Sequence, residues 1–118
     1  MNIIIKTKNL ELTDPLKLLI HKRIGGLQKF IKILKEDFKE VFIEVERESK
    51  HHRKGDIFKS EAIIHLPKRS LVARSHGENM SKVITDVKEE LEREIRKYKT
   101  KIIELPRRQY RKIKREVL

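Results

Sequence analysis

The stretch GENMSKVITDVKEELEREIRKYKTKI, residues 77–102, predicts the longest helix of the chain. Its apolar side chains recur at spacings of three and four residues, which places them on one side of a helix. These side chains are Met80, Val83, Ile84, Val87, Leu91, Ile95, Tyr98 and Ile102. Asn79 is suited to cap the first turn, and Pro106 ends the helix or follows its end.

Upstream of this helix, four stretches alternate between apolar and polar residues, which is the pattern of half-buried strands. They are residues 3–8, 41–46, 57–66 and 71–76. The polar loop at residues 48–56 and the turn at Pro67 join the last three strands into an antiparallel meander. The outward positions of the strands predict a polar sheet face of mixed charge. Its residues are Lys6, Lys8, Glu44, Glu46, Lys59, Glu61, Arg74 and His76.

Another helix is predicted between the first two strands. Thr13 and Asp14, followed by Pro15, form a strong start signal, and we expect the helix to run to about Ile31. Its apolar side consists of Leu16, Leu19, Ile20, Ile24, Leu27 and Ile31. The pair Gly25-Gly26 inside it costs about 1 kcal/mol per glycine relative to alanine. Glycine there allows the close approach of a neighbouring element or of a partner's backbone.

The element order β-α-β-β-β-α predicts a single α+β domain, with a four-stranded sheet and both helices on one face. The helix between the first two strands predicts a right-handed crossover and parallel pairing of those strands. We assign the domain to residues 1–104. Residues 105–118 hold too few apolar side chains to dock firmly, so we expect them to form a flexible basic tail.

The charge of the chain points to an acidic partner. Lys and Arg number 30 against 18 Asp and Glu, which gives a formal net charge of +12. The longest apolar runs hold three residues, as in Ile3-Ile4-Ile5, and are too short for a membrane anchor or a signal sequence. The chain has no cysteine, which excludes disulfides and thiol nucleophiles. We therefore expect a cytoplasmic protein whose partner is nucleic acid and not a membrane.

The basic residues form three clusters. One covers the later half of the long helix and the tail, since residues 96–118 hold ten Lys or Arg against two Glu. The others lie on the earlier helix and in the loop at residues 50–54. In a purely structural interpretation, Glu89–Arg93 and Glu92–Arg96 form i,i+4 ion pairs and single lysines are solvated. That interpretation leaves the tail unexplained, whereas a phosphate-binding surface explains both helix and tail. The residues predicted to bind RNA are Arg93, Arg96, Lys97, Lys101, Arg23, Lys22, Lys29, Arg74, Arg107 and Arg108.

The chain shows no motif for catalysis or for a cofactor. His51-His52 lack the cysteine or acidic partners that would complete a zinc site. No nucleophile elbow, glycine-rich phosphate loop or inward pair of carboxylates is present. We expect neither an enzyme nor a protein that uses a cofactor, a metal or a small-molecule substrate. Because aromatic residues make up 5% of the chain, RNA recognition should depend on shape and phosphates.

Residues 1 to about 101 resemble the ribosome hibernation-promoting factors, also described as ribosome-associated inhibitor or protein Y. The resemblance depends on Ile3-Ile4-Ile5, on Leu12-Thr13-Asp14, on Gly77-Glu78-Asn79-Met80 and on the spacing of Arg93, Lys97 and Lys101. Three positions, Gly26, Ser81 and Glu90, depart from the family pattern. With 118 residues, the chain resembles the short form, without the dimerisation domain of longer members.

The resemblance implies a fold similar to a double-stranded-RNA-binding domain, and a protein that is monomeric off the ribosome. It implies binding to rRNA in the decoding cleft of the small subunit, with ribosomal proteins as further candidate contacts. There the protein would block mRNA and tRNA in idle ribosomes, as a stress response. Two alternatives stay open: a generic module for double-stranded RNA, and an interaction protein whose charge only keeps it soluble. Whether the protein promotes or prevents ribosome dimers also stays open.

Overall fold

The computed structural model describes residues 1–34, 40–48, 55, 57–66, 69–104 and 107–112. In chain order the elements are β1 (Asn2–Lys8), α1 (Asp14–Gly25), α2 (Gln28–Leu34), β2 (Glu40–Glu48), β3 (Ile57–His65), β4 (Ser70–Gly77) and α3 (Met80–Tyr98), followed by a π-helical segment (Lys99–Glu104). The predicted order and the four predicted strands are confirmed, with the first predicted helix divided into two.

The four strands form one sheet in the order β1-β2-β3-β4. β1 lies parallel to β2, and the pairs β2–β3 and β3–β4 are antiparallel. The helices between β1 and β2 therefore make the crossover that their position in the sequence predicts. The last three strands form the predicted meander, because short connections allow only antiparallel neighbours.

The core lies between one face of the sheet and the helices. Inward side chains of β2, β3 and β4 are buried, as their alternation predicts. From α3, the buried side chains are Val83, Ile84, Val87, Leu91, Ile95 and Tyr98. Met80 is half-buried, and the side chain of Ile102 lies outside the described side chains. Ser60 is buried, and its hydroxyl donates a hydrogen bond to the carbonyl oxygen of Glu44 at 3.1 Å, which satisfies this polar group within the core.

The prediction of one continuous helix to Ile31 is wrong. α1 ends at Gly25, and α2 begins at Gln28. Between them the N–H groups of Gly26 and Leu27 donate to carbonyl oxygens only three residues back, at 3.3 and 3.0 Å. This tighter turn interrupts the helix while Leu27 and Ile31 stay buried.

The turn does not need the conformational freedom of glycine. Gly26 has φ −63° and ψ −15°, which any residue adopts. A Cβ at this position would lie 3.3 Å from the carbonyl oxygen of Arg23 and 3.7 Å from Cε of Lys88. The neighbouring element that approaches Gly26 is therefore α3. Gly55 is different, because its φ of 99° favours glycine in the predicted turn before β3.

The end of α3 also differs from the prediction. α3 ends at Tyr98, and residues Lys99–Glu104 continue from it with π-helical geometry. Residues 107–112 are helical and exposed. The division into a domain at residues 1–104 and a flexible tail at residues 105–118 stays a prediction. Most of the predicted loop at residues 48–56, including its basic centre, lies outside the described residues.

The outer sheet face is not as polar as predicted. Ile4 pairs with Phe42, Phe42 with Ile63, and Ile63 with Val72, so that one apolar row crosses all four strands on this face. Ile4 and Phe42 are exposed, and the ring of Phe42 meets the ring of His65 edge-on at 5.7 Å between centroids. The charged residues occupy the neighbouring rows.

Removal of the α3 cap should destabilise the protein. Oδ1 of Asn79 accepts a hydrogen bond from the backbone N–H of Lys82 at 3.1 Å, so Asn79→Ala should lower the free energy of unfolding by about 1 kcal/mol. Asn79→Asp keeps an acceptor and should stay near wild type, as should Glu78→Ala at the exposed residue before it. Urea unfolding measures all three; an aspartate variant as unstable as the alanine variant would contradict the cap.

Candidate nucleic-acid interface

The helices turn their apolar sides to the sheet and leave a basic surface outside. The basic helix surface consists of the exposed Lys17, Lys22, Lys29, Lys32, Lys82, Arg93, Arg96, Lys97 and Lys101. Among the described side chains of these helical elements, the exposed acids are Asp14 and Glu89. Cations therefore dominate the outside of the helices, as an anion-binding surface requires.

The ion pairs expected from a purely structural role of these cations are not formed in the part of the chain that the structure describes. Glu92 binds Lys88 at 2.5 Å, and not Arg96. Glu94 binds Lys97 at 3.5 Å and Arg69 at 3.8 Å. No described acid pairs with Arg93 or Arg96, although Glu89 and Glu92 precede them by four residues. Both guanidinium groups are thus available to another anion.

Arg96 is held by an aromatic ring. Its guanidinium carbon lies 5.1 Å from the centroid of the Phe30 ring, and Nζ of Lys29 lies 5.2 Å from the same centroid. Both distances are in the range of cation–π contacts. Phe30 belongs to α2 and Arg96 to α3, so this ring connects two of the basic clusters that are separate in the sequence.

The remaining predicted cations of the helices lie at element ends. Lys22 and Arg23 occupy the last turn of α1, where positive charge is favourable beside the carbonyl end of the helix. Arg23 is half-buried, whereas Lys22 is exposed. Lys101 belongs to the π-helical segment, and Arg107 with its neighbour Arg108 lies on the exposed helical residues 107–112.

Arg74 is separated from the other predicted residues. Its side chain lies on the outer face of β4, in a depression of about 320 Å³ that acidic residues also line, while its backbone N–H donates to Oε2 of Glu90 on α3 at 3.4 Å. Its Nε donates a hydrogen bond to Oε2 of Glu61 at 2.5 Å. This hydrogen bond and the charge of Glu61 raise the pKa of Arg74. The structure thus brings Arg74 together with a carboxylate and not with the basic helix surface.

Other cations of the outer sheet face are also paired. Lys59 binds Glu48 at 2.8 Å, and Lys8 lies 3.8 Å from Glu46. The hydrogen bond and charge of Glu48 raise the pKa of Lys59. The predicted mixed charge of this face is confirmed, and its internal pairing leaves little net attraction for phosphate.

The described residues contain neither a candidate metal site nor a membrane-spanning helix. Within the described ranges, no three His, Asp or Glu side chains lie close enough to hold a metal ion; His51 and His52 fall outside those ranges. No described helix is long and apolar enough to cross a membrane.

A family model and solved structures match this chain. Residues 3–103 match the family model described as sigma 54 modulation protein / S30EA ribosomal protein. A ribosomal subunit interface protein from Coxiella burnetii has a TM-score of 0.70 at 20% identity, covering 86% of this chain and 100% of that one. The N-terminal domain of Protein Y from Thermus thermophilus has a TM-score of 0.62 at 18% identity, covering 83% and 99%. At such identities these two likenesses show a shared fold. No match was found among curated proteins.

Two single substitutions compare the basic helix surface with the outer sheet face in RNA binding. Arg93→Gln and Arg74→Gln each remove one positive charge, so they form a matched pair. Arg93→Gln should weaken binding to structured RNA and lower the slope of log K against log salt by about one. Arg74→Gln should change neither, because Glu61 already holds this guanidinium on the other face. Fluorescence anisotropy over a salt series measures both. Equal losses would show that net charge, and not the basic helix surface, determines affinity.

Proposed function

The chain belongs to the sigma 54 modulation protein / S30EA ribosomal protein family, and from this membership we propose that it binds the small ribosomal subunit and inhibits translation in idle ribosomes. The observation that carries the proposal is the basic helix surface, whose arginines 93 and 96 take part in no ion pair among the described residues. The proposed partner is rRNA, with ribosomal proteins as further candidates. No cofactor or catalytic step enters the proposal.

Phosphate contacts are the proposed basis of affinity. Arg93 and Lys97 are four residues apart on α3, which is about 6 Å along the helix axis, and Lys101 follows in the π-helical segment. Arginine can hold a phosphate with two parallel hydrogen bonds, and lysine acts as a mobile point charge. A row of this kind can follow an RNA backbone without reading bases. Each phosphate neutralised releases counterions, so that binding should depend strongly on salt.

We further propose where on the small subunit the protein binds. The resemblance to hibernation factors favours the decoding cleft, where a bound protein of this size would exclude mRNA and tRNA. Two features of the chain support a one-sided attachment to RNA: the unpaired cations lie over the helices, and the outer sheet face neutralises its own charges. We further propose that the protein is monomeric off the ribosome and acts in the cytoplasm, where ribosomes lie.

A generic module for double-stranded RNA is the second candidate. A basic surface that holds phosphates without reading bases also suits it, since duplex RNA is recognised through shape and phosphates. The two candidates differ in where they bind and not in which residues they use. An interaction protein with a merely solubilising charge is the third interpretation, and it requires no affinity for the subunit at moderate salt.

Competition should distinguish these functions. The protein should co-sediment with small subunits at moderate salt, and tRNA bound with mRNA in the decoding cleft should displace it. A duplex RNA of equal phosphate concentration serves as the control competitor and should displace it poorly. Displacement by the duplex alone would favour the generic module. Failure to co-sediment would favour the interaction protein.

The basic tail should bind additional phosphates. Deletion of residues 105–118 removes Arg107, Arg108 and further cations beyond the π-helical segment. The truncated protein should bind subunits more weakly and with a smaller salt slope, by about one for each phosphate that the tail would have neutralised. Arg107→Gln with Arg108→Gln keeps the tail and should reproduce part of this weakening. Circular dichroism checks that the domain stays folded, and unchanged binding would refute a role for the tail.

A further inference from the structure

The ring of Phe30 is shared by two exposed cations. Nζ of Lys29 lies 5.2 Å and the guanidinium carbon of Arg96 5.1 Å from its centroid. Phe30 itself is half-buried and packs against the core. Both cations contact one ring although they belong to different helices, so their separation is at most the sum of these two distances, about 10 Å.

Neither cation is neutralised within the described part of the chain. Glu92, one turn before Arg96, binds Lys88 instead. Lys29 and Arg96 are both positive and repel each other. If Phe30 served only to pack against the core, neither α2 nor α3 would need a cation at its ring. The arrangement has the composition of an anion-binding site.

We propose that Phe30 is a positioning residue, which holds Lys29 and Arg96 as a pair that binds one backbone phosphate. This inference rests on the proposed function and names one contact within it. The ring attracts the face of the guanidinium, while the N–H donors of Arg96 point outward in the guanidinium plane and stay free for phosphate oxygens. Lys29 supplies a second charge from α2. Holding the long Arg96 side chain in advance lowers the conformational entropy cost of binding.

The turn at Gly26 and Leu27 makes this pair possible. It ends α1 and starts α2 as a separate short helix that contacts α3. Leu27 and Ile31 fix α2 through burial, and Phe30 lies between them in the sequence. The break between α1 and α2 therefore sets where Phe30 lies relative to Arg96 on the basic helix surface.

A double-mutant cycle tests the inference. The variants are Phe30→Leu, which keeps an apolar side chain but removes the ring, Arg96→Gln, and both together. Phe30→Leu should weaken binding to small subunits about two- to fivefold, which is the value of one exposed cation–π contact. Its effect should shrink when Arg96 is already glutamine, because the ring acts through that guanidinium. Phe30→Trp should restore or strengthen binding, since indole is the best cation–π partner.

Two controls separate positioning from packing. Phe42→Leu removes an exposed ring from the outer sheet face and should leave binding unchanged. Phe30→Leu combined with Arg93→Gln should give additive losses, because Arg93 does not contact the ring. Urea unfolding of every variant excludes a loss of folded protein as the cause, and Phe30→Trp keeps the test valid if the leucine variant is unstable.

The outcomes are distinct. If wild type binds and Arg96→Gln weakens binding, but the loss from Phe30→Leu is absent or is the same in both Arg96 backgrounds, the positioning role is overturned while the proposed function stands. If wild type does not bind subunits at all, both are overturned. A loss that depends on Arg96 and is rescued by tryptophan supports the pair.

Discussion

The burial of one side of α3 against the sheet is the constraint on which the rest of the structure depends. Leu91 and Tyr98 are fully buried, and Val83, Ile84, Val87 and Ile95 are at most 2% exposed. With 3.6 residues per turn, the charged positions between these apolar residues lie on the opposite side of the helix. These positions must therefore face solvent. Arg93, Arg96 and Lys97 are exposed because Leu91, Ile95 and Tyr98 are not.

The outer sheet face and the basic helix surface differ in how their charges are balanced. On the outer sheet face, cross-strand neighbours place charges opposite each other, which favours opposite signs. Glu44 and Glu61 are an exception because they face each other directly; Arg74 compensates Glu61 through a hydrogen bond. On the helices the cations exceed the acids that could pair with them. Such an excess repels itself, and an external polyanion is the natural source of compensation.

Much of the fold follows from periodicity alone. Alternation predicted the strands and the α3 stripe predicted the buried side, since each depends on local geometry. The break at Gly26 and Leu27 could not be predicted in this way, because its i→i−3 hydrogen bonds keep Leu27 and Ile31 on the buried side and so leave the apolar pattern intact. The row from Ile4 to Val72 was missed because it depends on the register between strands. Arg74 was placed among RNA-binding candidates because sequence cannot show that Glu61 lies opposite it.

The choice of partner for Glu92 shows why the candidate site needed tertiary structure. Lys88 and Arg96 are each four residues from Glu92, so spacing alone treats them as equal alternatives. The side chains of Lys88 and Glu92 are only 26% and 15% exposed, which screens their attraction less than that of a pair with the exposed Arg96. Exposed ion pairs contribute about 0.2–1 kcal/mol and exposed cation–π contacts about 0.5–1 kcal/mol. Pairing Glu92 with Lys88 and Arg96 with Phe30 keeps one interaction of each kind, whereas a Glu92–Arg96 pair would draw the guanidinium away from the ring. The packing of α2 against α3 thus decides that Arg96, and not Lys88, stays open to an anion.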